Sequence, residues 1–287
     1  MNNFSIVEIV RKTFKAYKNN YPILMLAVAI YSGVWTLAPL IDPLSYVSIG
    51  SSSDELLQKG TNPQDFVKKI ETIKSGIEEQ TNSRMLVSWI IWILLYLVSL
   101  FLQLGLVKMC LEAVNKGKTK LSVLFSQKDT FGSVVLAAFL LAIGLLGTFF
   151  AIALPIGFFA DTFSLDSMTT AVVGLIGCAL ILLIFVPFFF VRWSIVDKKI
   201  TAIEGLLYSW KLVKSQFKKV LLFFILFIPL MSFCIKFLEG LFTPILKFIP
   251  IIGVARFALP YYCASILTIP LVMLTMACVY SNLISEN

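Results

Sequence analysis

The 287-residue chain contains no histidine. That absence removes Ser-His-Asp and Cys-His nucleophile pairs, the HExxH zinc motif and haem held by a histidine ligand. Charge is scarce as well: Asp, Glu, Lys and Arg make up 14% of the residues, where an average soluble domain carries roughly a quarter. The five cysteines, Cys110, Cys178, Cys234, Cys263 and Cys278, form no CxxC pair, and four of them lie in apolar runs. They read as buried reduced thiols. No Asp, Glu or Arg stands in the middle of a long apolar run. Ion-coupled transport and intramembrane acid–base chemistry therefore have no obvious carrier. The expectation is a protein that is not an enzyme and uses no cofactor and no metal.

Apolar sequence, by contrast, is abundant. Hydrophobic residues make up 59% of the chain, and the mean hydropathy is +0.91. Backbone polar groups in a bilayer have no water to bond, so long apolar runs must form helices. The chain reads as an all-α, polytopic transmembrane helical bundle, a single integral membrane domain over 1–287. Six spans are predicted, at 21–41, 85–107, 131–159, 170–191, 220–242 and 260–283. Each is long enough to cross ~30 Å of hydrocarbon at about 1.5 Å per residue. The net charge of +8 is spread over short connections, which is how orientation is encoded in membrane proteins, and not a nucleic-acid footprint. The segments expected inside carry 16 basic residues and those expected outside carry 8. This predicts a multi-pass protein of the inner (cytoplasmic) membrane with both termini cytoplasmic. The polar segment before the first apolar run argues against a cleavable signal peptide.

Two stretches organise the chain. At an offset of 196, without gaps, Glu8 aligns with Glu204, Thr13 with Ser209, Phe14 with Trp210, Lys15 with Lys211, Lys18 with Lys214 and Tyr21 with Phe217. Each stretch, 4–20 and 199–219, reads as a basic amphipathic helix at the cytoplasmic interface that launches a span. In the first, Ile9, Val10, Phe14 and Tyr17 recur at helical spacing while lysines fill the other face. Ser5 with Glu8, and Thr201 with Glu204, have the form of capping boxes. Arg11, Lys12, Lys15, Lys18, Lys211, Lys214, Lys218 and Lys219 are the candidate site for anionic phospholipid headgroups, each worth ~1 kcal/mol beside an anionic leaflet. The competing reading is generic anchoring without lipid selectivity.

Other features are sparser. The expected extracytoplasmic loop 42–84 holds one amphipathic helix, 63–80, opened by Asn62 as N-cap and Pro63 at N1. A flexible stretch, 49–53, precedes it. Its stripe of Phe66, Ile70, Ile73 and Ile77 either docks a protein partner or folds onto the bundle. Segment 243–259, broken by Pro244, Pro250 and Gly253, reads as an interfacial or re-entrant turn. Lys236 and Glu239, spaced i,i+3, form a candidate intramembrane polar pair near the outer end of a span. Gln103 is expected to make an interhelical hydrogen bond. Pro39, Pro155, Pro187, Pro229 and Pro270 predict kinked or terminated helices, a device transporters use. Gly144, Gly147, Gly174 and Gly177 predict close packing of the third and fourth spans.

The launch segments, clearest over 8–21 and 204–217, resemble the repeated element of a bacterial six-span family. That family includes the YciC-like proteins and the membrane domain attached to some glycerophosphodiester phosphodiesterases. The connection LGLVKMCLEAVNKGKTKLSVLF (104–125) is similar to that family's loop, in which a small basic turn precedes a short helix. The resemblance implies a membrane module. It does not extend to the phosphodiesterase chemistry, which belongs to a separate soluble domain using histidines and metal-binding carboxylates. The expected function is a non-catalytic membrane protein that binds lipids or organises partners. The alternative is a transporter or scramblase of lipids or small amphiphiles.

Overall fold

A computed structural model describes residues 6–41, 63–162, 167–246 and 255–286. The architecture is all-α, with no strand among the described residues. Helix α1 (Ile6–Ile41) joins the first launch segment and the first apolar run without a break and ends just before Asp42-Pro43. Helix α2 (Pro63–Lys116) is 54 residues long, about 81 Å at ~1.5 Å per residue. The expected outer helix and second span are thus one element. Between them lie Thr81, Asn82 and Ser83, indifferent helix formers, and Arg84, a good one; none is Gly or Pro, so nothing stops propagation. The side chains of Phe66, Ile70, Ile73 and Ile77 lie outside the described residues, as do Ser5, Asn62 and segment 49–53.

Gly117, with φ of 77°, turns the chain after α2, in the left-handed conformation that glycine adopts at helix C-termini. A short 3-10 helix follows, Leu121–Phe125. Helices α3 (Lys128–Thr162) and α4 (Ser167–Phe185) come next. Pro187, within the 3-10 turn Val186–Phe188, ends α4. Helix α5 (Val191–Lys198) closes on Lys199 at φ 54°, and α6 (Ala202–Lys214) is the second launch helix. Unlike the first, it is separated from its span, α7 (Phe217–Leu246), by a break at Ser215 and Gln216. Pro244 does not end α7, and α8 (Ala255–Glu286) begins at Ala255. Helices α7 and α8 thus take up both ends of the predicted interfacial or re-entrant segment 243–259, and 247–254 lie outside the described residues.

Among the described residues five stretches are long and apolar enough to span a membrane: 86–116, 128–152, 172–198, 217–244 and 259–286. The remaining predicted run, 21–41, forms the second half of α1. Helix α8 lies at the centre and packs against α1, α7 and α2, whereas α3 and α4 pair with each other. Both carry many exposed apolar side chains, among them Phe139, Ile143, Phe149, Leu175 and Ile176, as suits contact with lipid tails.

The buried core concentrates at one end of the bundle, with Met109, Leu124, Phe190, Ile195, Val213 and Tyr280 fully enclosed. The launch helices and the end of α8 meet there. Asn20 on α1 donates to the Gly117 carbonyl (3.1 Å) and accepts from the Thr119 N–H (3.0 Å). Gln216 bonds Glu286, and Ser281 bonds Asn115. We call this the basic end.

Close approach of elements does rest on glycine, but not at three of the four expected positions; the fourth, Gly177, is buried. A Cβ on Gly147 or Gly174 would meet nothing within 4 Å, and one on Gly144 only the Phe185 ring at 4.0 Å. The α3–α4 pair is therefore not held through these glycines. The tight crossings are at Gly105, where the 3-10 helix lies against α2, and at Gly205, where α6 meets Ile195 of α5.

Candidate membrane-lipid interface

The second launch helix is built from local signals. The Thr201 hydroxyl accepts from the Glu204 N–H at 3.4 Å, and the Glu204 carboxylate accepts from the Thr201 N–H at 2.9 Å. This is the predicted reciprocal cap. The backbone N–H of Thr201, reinforced by its hydroxyl, holds the Glu204 carboxyl below the usual carboxylate range. Gly205 then lets α6 lie on α5: a Cβ there would come within 2.5 Å of Ile195 Cγ1. Four residues on, the buried Ser209 hydroxyl donates to the Pro187 carbonyl at 2.6 Å. The inner face of α6 is thereby fixed, and its other face carries Trp210, Lys211 and Lys214 outward.

Burial on α1 follows the same register. Ile9, Thr13, Ala16 and Leu24 are buried, and so are Gly205, Ser209, Leu212 and Val220, each 196 positions later. The exposed pairs correspond as well: Glu8 with Glu204, Phe14 with Trp210, Lys15 with Lys211, and Lys18 with Lys214.

All eight basic residues singled out from the sequence are exposed, but they do not form one cluster. Four lie on α1, which packs on α8 and α2; two lie on α6, which packs on α5 and α3, and two at the start of α7. Lys12 pairs with Glu8 at 2.8 Å, and Lys219 stands 3.9 Å from Glu286. Among the described residues no carboxylate pairs with Arg11, Lys15, Lys18, Lys211, Lys214 or Lys218. Lys236 and Glu239 do form the expected pair, at 2.8 Å, with the lysine largely exposed.

Beside these helices lie three grooves. One, of about 310 Å³, is walled by Leu180, Leu183 and Ile184 of α4 and by Trp210 and Lys214 of α6. A second, of about 300 Å³, runs between α1, α7 and α8, with Phe14, Phe223, Phe227 and Leu271 among its walls. The third, of about 190 Å³, lies between α2, α3 and the start of α5, and Arg192 lines it. The walls of the first two are overwhelmingly apolar and those of the third mainly so, which suits hydrocarbon chains better than water or ions.

The family described as Domain of unknown function (DUF7847) matches residues 4–283. The chain belongs to that family. No curated protein and no solved structure matches it.

Two polar contacts of this DUF7847 chain complete the basic end. Gln103, expected to bond across helices, accepts from Arg192 of α5. Tyr280, fully buried on α8 among Phe190 and Trp193, directs its hydroxyl at Asp197 over 3.4 Å. Sequence reasoning singled out neither Arg192 nor Tyr280. The one available signal was the position of Arg192, the first charge after the apolar run 170–191.

Proposed function

We propose that this DUF7847 chain is a non-catalytic, multi-pass protein of the bacterial cytoplasmic membrane that holds phospholipids by their anionic headgroups at its basic end. In this reading the basic end is cytoplasmic, and the internal repeat places an equivalent launch helix before the first and fifth spans. The observation that carries the proposal is the groove between α4 and α6. Its walls are apolar except for Lys214, and Trp210 stands beside that lysine. A groove that accepts an acyl chain and ends on an ammonium group matches the two halves of an anionic lipid. Trp210 suits the same level, since indole rings favour the headgroup boundary. The matched register of burial along α1 and α6 supports the repeat. The likeness of both launch segments to those of the YciC-like proteins supports a membrane module over an enzyme.

Native mass spectrometry of gently extracted protein tests the reading. The expected result is retention of anionic phospholipid, reduced when Lys15, Lys18, Lys211 and Lys214 are changed to Gln. At ~1 kcal/mol each, four cations contribute up to ~4 kcal/mol, or about a thousandfold in affinity. Retention unaltered by the four changes would defeat the lipid-headgroup role. Accessibility labelling of Ser52→Cys and Ser215→Cys tests the orientation: labelling from opposite sides is expected, and labelling from one side would overturn it. The scramblase alternative needs a polar path for headgroups, and the apolar grooves favour holding lipid over passing it.

A further inference from the structure

We propose that Arg192 and the groove beside it form a specific site for one anionic glycerophospholipid, separate from the launch-helix lysines. The site rests on the reading of the chain as a lipid-binding membrane protein, but on different residues.

Three observations converge on it. The first is the state of the guanidinium. Arg192 is half-buried, and the partner it has is a neutral one, Gln103. Among the described residues no carboxylate pairs with it. Gln103 occupies one of five N–H donors, so the guanidinium is held in place while most of its donors remain for another acceptor. Phosphate is the acceptor whose geometry this planar fork matches best.

The second is the shape of the space beside it. The groove runs along α3 from Val134 to Leu145, about 16 Å at ~1.5 Å per residue. Ala137, Ala138 and Ala142 line it, so small side chains leave room where larger ones would fill it. Tyr96 of α2 and Phe185 of α4 form other parts of its wall. Arg192 is the one charged residue in the lining. The groove has the outline of an acyl-chain channel with a cation at its mouth.

The third is depth. On α2, Gln103 lies nineteen residues beyond Arg84, with no charged residue between them. That interval is about 28 Å of helix, close to the ~30 Å hydrocarbon thickness of a bilayer. Gln103 and Arg192 therefore sit at one boundary of the hydrocarbon, where a phosphodiester would be. From there the alanine-lined channel leads toward the bilayer centre. An arginine that merely snorkels to water needs neither the amide that anchors it nor the channel beside it.

The test places the protein in phosphatidylcholine nanodiscs containing a minor fraction of phosphatidylglycerol, and counts the lipids retained by native mass spectrometry after release. The wild type is expected to retain phosphatidylglycerol both at this site and at the launch-helix lysines, and K211Q/K214Q to lose the lysine-held lipid and keep one. The lipid at this site is expected to be lost from R192Q, from A138L, which fills the channel and keeps the charge, and from Q103E, which supplies Arg192 with an internal carboxylate. Loss of a hydrogen-bonded charge predicts a roughly ten- to hundredfold weaker hold. Each variant is first shown to keep Cys110 protected from thiol reagents, so lipid loss is not read from unfolded protein; where R192Q fails this check, A138L and Q103E decide. Persistence of the lipid in A138L and Q103E would overturn the site, as would retention of phosphatidylcholine or a free fatty acid in its place. Loss from K211Q/K214Q but not from R192Q would leave the lysine-based reading standing and this one refuted; the reverse pattern would do the opposite.

Discussion

Gly105→Ala is expected to destabilise the protein, although alanine is normally the better helix residue. Gly105 lies in α2 where the 3-10 helix crosses it. A Cβ there would stand 1.9 Å from the Leu124 carbonyl oxygen, 2.5 Å from its carbon and 2.6 Å from its Cα. An ordinary C···O approach is about 3.4 Å, so the two backbones would have to separate by roughly 1.5 Å. The obstacle is backbone, which cannot rotate aside as a side chain can. Nor is the connection free to withdraw, because Asn20 grips it at Gly117 and Thr119 and Leu124 is fully buried. The gain in helix propensity is about 1 kcal/mol, whereas overpacking costs about 1–3 kcal/mol and more where backbone must move. A net loss of about 2 kcal/mol follows, or roughly 4–8 °C in melting temperature for a chain of this size. The assay is a thermal melt followed with a maleimide dye that fluoresces on reacting with thiols. Cys110 and Cys278, each 1% exposed, stay silent until the fold opens. Gly147→Ala, where a Cβ meets nothing within 4 Å, is the control and should melt with the wild type or slightly above it. A Gly105→Ala protein that melts at or above the wild type would refute the crossing.

Further outcomes follow from the same end of the molecule. Asn20→Ala removes the side chain that donates to Ala16 and Gly117 and accepts from Thr119. It leaves the part-buried Gly117 carbonyl and the buried Thr119 N–H without this partner, at a cost of about 1–3 kcal/mol in the same melt, and an unchanged melt would count against the clasp. The Glu204 carboxyl is held below its ordinary value by Thr201. Its contribution to the cap is therefore complete above the unfolded-state value of about 4.3 and is lost as pH falls through the lower folded value. The protection of amides at the start of α6, corrected for intrinsic exchange, should be constant from neutral pH down to the ordinary carboxylate value of about 4.3 and fall only at lower pH. Thr201→Ala should raise exchange there at every pH, and protection unaffected by either change would mean the cap is not holding α6.

The reading of lipid holding rests on how the basic end is made. Its buried core joins α1, α2, α5, α6, α7 and α8 at one level, while α3 and α4 present apolar faces outward. Grooves arise where the helices diverge from this core, and lysines or an arginine stand at two of them. That arrangement needs no reaction chemistry. It follows from packing a cluster of amphipathic helix ends beneath spans whose outer faces meet lipid.

Much of this was decided locally and could be read from the residues. Apolar runs must be helical in a bilayer because each backbone group needs an internal partner, so the all-α architecture and the positions of its apolar runs were legible. The Thr201–Glu204 cap and the Gln103 interhelical bond were legible too, since a short polar group in such a place has few alternatives. Helix pairing was not, because lipid tails are as apolar as leucine and exert no hydrophobic preference for one helix partner over another. The glycines at 144, 147 and 174 looked like a seam and are not one, whereas Gly105 was inconspicuous and carries the tightest crossing. The fusion of 63–80 with the second span also escaped the pattern, because polar residues between two helical stretches do not by themselves break a helix. Arg192 met its partner only when α5 brought it to Gln103, 89 positions away in the chain. The sequence by itself determined a membrane protein with two basic launch helices, the second of them capped. Which helices touch, and where grooves open between them, depended on side chains meeting across the chain, and only the tertiary structure decided that.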